Sequence, residues 1–126
     1  MPDNSSGRIY NFVFRNATVI TPGKPEGTAA SIGVNTERRR ASLVAPNRIA
    51  EIGAVNRTGL EEYDVSGYYI VQRSGRMKTG EFADFLFYKK DRKIDWAAND
   101  LEKQFPPDAV FSNGKWVKGE KLFAGK

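Results

Sequence analysis

Most enzymatic acid–base and metal chemistry near neutral pH draws on histidine, cysteine and well-placed carboxylates, and this sequence has no histidine and no cysteine in its 126 residues. Disulfides, thiolate metal sites and serine–histidine pairs are therefore excluded. Carboxylates alone could hold Ca²⁺ or Mg²⁺. The candidates Glu61-Glu62 and Asp64 form no loop with calcium-ligand spacing, and they read as solvated charges before a strand. Asp84 sits in an apolar run, where burial would raise a carboxyl pKa. Paired carboxylates for glycosidic chemistry stay open on sequence alone. A serine–lysine dyad is conceivable, but nothing singles one out, and glycine-rich phosphate loops of the G-x-G-x-x-G or Walker type are missing. No catalytic, cofactor-binding or metal-ligating residue is assigned.

The formal net charge is +5, which raises the question of an anionic partner. The excess gathers in Arg38-Arg39-Arg40 and in Lys89-Lys90 with Arg92 and Lys93, interrupted by Asp91. Arg38, Arg39 and Arg40 are the candidates for holding an anion, with salt-sensitive, sequence-independent affinity. The favoured reading is that these are solvated loop and edge charges that keep strand edges apart, and nucleic acid is not the expected partner. Arg39-Arg40-Ala41-Ser42-Leu43 resembles the substrate site of cyclic-nucleotide-dependent kinases, which makes Ser42 a candidate phosphorylation site. The polar start, Met1–Gly7, has no basic segment followed by an apolar one and is expected to be a mobile leader rather than a signal peptide. Asn4, Asn16 and Asn56 fit the glycosylation sequon, which means little without a secretory signal. No apolar run of about 18 residues is present, so no membrane span is expected, and a cytoplasmic location is the simplest expectation.

The elements that must position these residues are mainly strands. Ile9–Phe14 alternates apolar residues and continues through Ala17–Ile20 to the turn-rich Thr21-Pro22-Gly23. Thr28–Asn35 and Arg48–Gly53 are candidate strands. Tyr68–Val71 and Phe82–Tyr88 are apolar on both faces, which suits strands packed from two sides. The aromatics Tyr10, Phe12, Phe14, Phe85, Phe87 and Tyr88 could stack on bases, but a core role is favoured. Asn113-Gly114 between Val110–Ser112 and Lys115–Val117 predicts a two-residue hairpin that sets Phe111 opposite Trp116. Leu122-Phe123 is expected to add a short strand. One short helix is expected, through Ala97-Ala98 or Leu101–Gln104, capped by Asp95 or Asn99 and stopped by Pro106-Pro107.

Several fragments, in order, resemble the amidohydrolase superfamily, the group of dihydroorotases and hydantoinases. Phe14–Thr21, FRNATVIT, is similar to the family's opening strand pair. Asn47–Gly53, NRIAEIG, resembles its recurring GRIAAIG strand. Glu62–Val71 resembles the D-A-S-G-K-Y-V segment that leads into the catalytic barrel, and Gly75–Leu86, GRMKTGEFADFL, resembles the G-R-I-K-x-G-x-x-A-D-L segment that follows it. The last hairpin is similar to the closing V-x-x-N-G-K-x-V strands. The resemblance spans residues 8–126 and rests most on Gly80–Asp84 and Arg48–Gly53.

In that family a (β/α)8 barrel is inserted between the two halves of one β domain and carries the His-x-His pair and the other metal ligands. Here Val71 is followed by Gln72-Arg73-Ser74 and then by Gly75, so the barrel is missing between about Val71 and Gly75. Relative to the family's tight turn, Thr36–Pro46 holds about ten additional residues, expected to form an exposed loop. The resemblance makes Asp84 a structural hydrogen-bond acceptor. It implies a single mainly β domain, a β-sandwich or bent sheet with at most one short helix, built from residues 8–71 and 75–126. The expected function is a non-catalytic scaffold, a remnant or an excised piece, without enzyme activity, metal or cofactor. The alternative is a binding module that uses Arg38–Arg40 for an anionic partner such as nucleic acid. Losing the barrel would uncover apolar surface near Tyr68, Ile70, Val71 and Met77, which a symmetric homodimer would rebury.

Overall fold

A computed structural model describes residues 9–36 and 47–123. The spine of the fold is β1 (Tyr10–Thr21), which turns through Pro22-Gly23 into β2 (Lys24–Thr36). β2 pairs antiparallel with β3 (Asn47–Gly53). The other edge of β1 serves two strands in succession. β4 (Gly59–Asp64) runs parallel to its first half, with Phe14 opposite Tyr63, and β5 (Tyr68–Gln72) runs parallel to its second half, with Thr18 opposite Tyr69. The division falls at Arg15-Asn16. There Asn16 takes φ 62, and the register with β2 shifts between Phe14 and Ala17. Asparagine tolerates the left-handed region better than most residues, and such a bulge bends its strand.

From β5 the sheet continues antiparallel through β6 (Asp84–Lys89), β7 (Ala109–Ser112) and β8 (Lys115–Lys118). Its order is β3-β2-β1-β5-β6-β7-β8, with β4 beside β1. The bend at β1 folds this sheet over itself. Arg48 of β3 bridges to Phe82, just before β6, and the Ile49 amide donates to the Glu81 carbonyl at 2.8 Å. Asn47, 2% exposed, sits at this seam. With its amide oriented to suit both neighbours, it donates to the Ala83 carbonyl at 3.1 Å and accepts from the Gly114 amide at 2.6 Å. The described residues thus form a mainly β fold, an open mixed sheet bent upon itself without closing into a barrel, with one short α-helix, α1 (Leu101–Gln104).

The core lies inside the bend. Phe12 and Phe14 of β1 meet Phe85, Phe87 and Phe111 across it, and Trp116 of β8 closes one end. Phe14 is fully buried, and its ring stands edge-on to Phe85 and Phe111 at 5.5 and 5.0 Å. Offset and edge-on rings fill such a space better than parallel sandwiches. Tyr10, Phe12, Phe85, Phe87 and Tyr88 are also buried, which leaves none of these six aromatics available as an open base-stacking platform.

The terminal hairpin follows the sequence. Asn113 and Gly114 take φ 55 and 76, and Phe111 pairs with Trp116, ring centroids 5.3 Å apart. The strand expected at Leu122-Phe123 is instead a single 3-10 turn, Glu120–Leu122. Gly119, at φ 84, redirects the chain, local bonds replace a ladder, and Phe123 enters the core. The helix forms at Leu101–Gln104, but its N-cap is Asp100 at φ 53, which makes no side-chain cap bond. Asp95 instead accepts from the Ala97 amide at 3.1 Å, forming a local turn.

Candidate functional site

The connection that the sequence singles out, between β5 and β6, is tied by buried polar groups. Gln72 is 3% exposed. Its carbonyl oxygen accepts from the Asp84 amide at 3.0 Å, and its side-chain nitrogen donates to the Phe82 carbonyl. The Arg73 amide donates to the Asp84 carbonyl at 2.8 Å, and the Gly75 amide turns back to the Gln72 carbonyl at 2.8 Å. The Arg73 guanidinium meets Glu102 through two bonds of 3.0 Å and Asp84 at 3.1 and 3.5 Å. Asp84 is therefore a hydrogen-bond acceptor, as the resemblance implied, and its partner comes from the neighbouring strand end.

Beside this turn opens a cleft of about 690 Å³. It lies between the β1–β2 turn, the Arg73–Gly75 turn and the segment 94–101. Its walls are apolar: Ile20, Pro22 and Pro25 on one side, Val71 on the floor, Ile94 and Leu101 on the other. Trp96 also lines it, held edge-on by Tyr69 and Tyr88 at 5.3 and 5.4 Å. Two charged side chains line it, Arg73 and Asp95. Behind Trp96, the Tyr88 hydroxyl is buried without a hydrogen-bond partner among the described residues, and burial, foremost among the causes, pushes its pKa up to about 12.

The carboxylates flagged in the sequence do structural work elsewhere. Glu62 receives Arg15 Nε at 2.7 Å and the Gly59 amide at 2.8 Å. Those bonds, the arginine's first, hold its pKa below the ordinary value of 4.5. Arg15 also donates to the Val55 and Arg57 carbonyls, so the pair fastens the 54–58 loop to β1. Glu61 accepts from the Tyr63 hydroxyl, and burial together with that bond raises the phenol to about 12. Burial pushes Asp108 up, but the Lys89 amide and the Arg92 guanidinium outweigh it and hold the carboxyl below its usual range. Among the described residues no three histidine, cysteine or acidic side chains gather in a way that could hold a metal ion. None of these groups pairs a nucleophile with a base, so the arrangement fixes loops and strand ends.

Arg38, Arg39, Arg40 and Ser42 lie outside the described residues, as does all of Thr36–Pro46 after Thr36, which ends β2. Of the residues expected on the uncovered surface, Ile70 is fully buried in the core and can contribute to no outer face. A strand that pairs on both sides and packs inside the bend spends its inward side chains on the core. Tyr68 and Met77 pack half-buried against that core, and Val71 opens into the cleft. Sequence reasoning missed Gln72 and Asn47 as seam residues and Trp96 and Asp95 as cleft residues. The available signal for Gln72 was its place directly after the apolar run Tyr68–Val71; Asn47, between Pro46 and Arg48, offered none. Among the described residues no helix is long and apolar enough to cross a membrane. Comparison with protein-family models, with curated proteins and with solved structures finds no match.

Proposed function

We propose that the chain is a non-catalytic β scaffold, similar to the small β domain of amidohydrolases and without the barrel that those enzymes insert into it. The observation that carries this reading is the geometry of the β5–β6 join. A domain can be inserted where the chain leaves and returns at neighbouring points on the surface. Gln72 at the end of β5 is paired with Phe85 of β6, and the Arg73–Gly75 turn between them is exposed. Strands from before and after the join share one sheet, so the fold does not depend on what the join carries. The groups that would do metal-assisted hydrolysis in that family have no counterparts in a sequence without histidine.

The test has two arms. A small folded domain with adjacent termini, inserted between Ser74 and Gly75, is expected to leave the melting transition of the β domain nearly unchanged. The same insertion between Asn113 and Gly114, a turn held by Asn47, is expected to lower it. Unfolding by the first insertion would remove the structural basis of the proposal. Assays with cyclic amides in the presence of Zn²⁺ or Mn²⁺ are expected to show no turnover, and hydrolysis dependent on this chain would overturn the non-catalytic reading.

A further inference from the structure

The cleft beside Arg73 has two charged lining residues, and only one of them is paired. Arg73 is its lining cation, and that guanidinium is already matched by Asp84 and Glu102 at 3.0–3.1 Å. Asp95, the other charged lining residue, is exposed and its side chain has no cationic partner among the described residues; the carboxylate accepts from the Ala97 amide. The lining itself holds one positive and one negative side chain, so the difference lies in pairing: the guanidinium is satisfied by two carboxylates, and the Asp95 carboxylate is open to a ligand. Lys24, Arg76 and Lys93 neighbour lining residues in sequence, yet none lines the cleft. The remaining walls are mostly aliphatic and proline carbons with the Trp96 indole, and Thr21, Gln72 and Ser74 are the uncharged polar residues among them. Small-molecule sites combine apolar walls with a few oriented polar groups, in volumes of about 300–1,000 Å³.

We propose that this cleft binds a small amphipathic organic cation, with its apolar body between Ile20, Val71 and Leu101 and its ammonium group at the Asp95 carboxylate beside Trp96. The aliphatic walls take the body out of water. The carboxylate supplies a charge-assisted bond, and an indole prefers a cation to an anion near its face. An anionic ligand of the same shape would meet Asp95 unpaired and an Arg73 already satisfied. The cleft would bind such a cation whether or not a barrel was ever inserted at residues 73–75.

Titration of the full chain with phenethylamine, phenethyl alcohol and phenylpropionate, followed by amide NMR, tests this. The amine is expected to give saturable shifts at Val71, Ser74, Gly75 and Ala97. An exposed ion pair of this kind corresponds to about a three-fold preference over the alcohol, with the carboxylate weakest. Asp95→Asn keeps the local turn, because asparagine caps it equally well, and is expected to lose that preference while alcohol binding stays as it was. Asp91→Asn, outside the cleft lining, is expected to change nothing. The proposal is overturned if phenylpropionate binds as tightly as the amine, if Asp95→Asn leaves amine affinity intact, if the shifts fall away from the lining, or if none saturates.

Discussion

The β5–β8 layer buries Phe85, Phe87 and Phe111 on its inner face against β1, while its outer face buries Leu86, Tyr88 and Val110 beneath the connection 90–106. Inside, strands lie on both sides, and aromatic rings from six of them interlock. Outside, the cover is a loop segment with a four-residue helix, Trp96 and Phe105 acting as its main weights. Each face leaves one buried polar atom without a hydrogen-bond partner among the described residues, Trp116 Nε1 inside and the Tyr88 hydroxyl outside, and the outer face also leaves an open cleft at the Arg73 end. Regular strands satisfy their own backbone groups and can approach closely, whereas an irregular cover must spend side chains on holding its own shape. Arg92 shows that cost: it donates to the Pro106 carbonyl and to Asp108 to pin the two ends of the cover together.

The contrast breaks most clearly at Phe14. Phe14→Ala should cost about 3–5 kcal/mol, the range for a large ring removed from a rigid core. Ile94→Ala, in the outer cover, should cost less than half as much. Equal losses in urea denaturation would mean that the outer face is packed as firmly as the inner. Next comes Gly119. A Cβ there would lie 2.5 Å from the Ala109 Cβ and 2.6 Å from the Asp108 carbonyl oxygen, at φ 84. Gly119→Ala should therefore cost about 2 kcal/mol or more, since neither backbone nor strand can yield cheaply. A change near zero on the same measurement would show that the turn after β8 is loosely held.

Tyr88→Phe sharpens the outer-face side. Removing a buried hydroxyl that has no partner should leave stability unchanged or raise it by up to about 1 kcal/mol. A clear loss would reveal a bond that the outer face makes after all. The smallest effect concerns Glu62, half-exposed beside Arg15. After allowance for solvent screening, Glu62→Gln should cost about 0.5 kcal/mol at neutral pH. The folded pKa of Glu62 lies below its unfolded value, so its stabilisation is complete above the ordinary value of 4.5 and is lost as pH falls through the folded pKa. Wild type and variant should therefore converge on acidification. A gap that persisted in acid would assign the effect to something other than the carboxylate charge.

Where local chemistry decides the structure, the sequence was legible. Asn113-Gly114 specified its own turn, and the Phe111–Trp116 pair follows from a two-residue loop. The alternating run from Tyr10 gave β1, and Pro106-Pro107 marked the end of α1. β4 was not legible, because Leu60-Glu61-Glu62 lacks an apolar alternation. It is a strand through its parallel pairing with β1, where Arg15, 47 residues away, donates to Glu62. The turn after Gly119 was missed because Leu122-Phe123 looks like a strand fragment, and only the core pocket for Phe123 tells otherwise. The cleft was invisible for the same reason: Ile20, Val71, Asp95 and Leu101 meet only in space. Local pattern carries turns and strand faces, and distant pairing carries sites.

One feature of β1 bears on how the chain reaches this fold. Its parallel partnership with β5 joins residues about fifty positions apart, and no hairpin can initiate it. The β1–β2 and β7–β8 hairpins can form on their own, but neither contains the seam. The entropy of closing the intervening chain must be met before the Phe14 contacts return anything. Folding should consequently fall at the slow end for its size, in the range of milliseconds to seconds. During that interval β5, with Tyr69, Ile70 and Val71 in sequence, would be an apolar strand whose edge toward β1 is unpaired. The protein's exposure to aggregation should therefore depend on how long β5 waits for β1, more than on the stability of the finished fold.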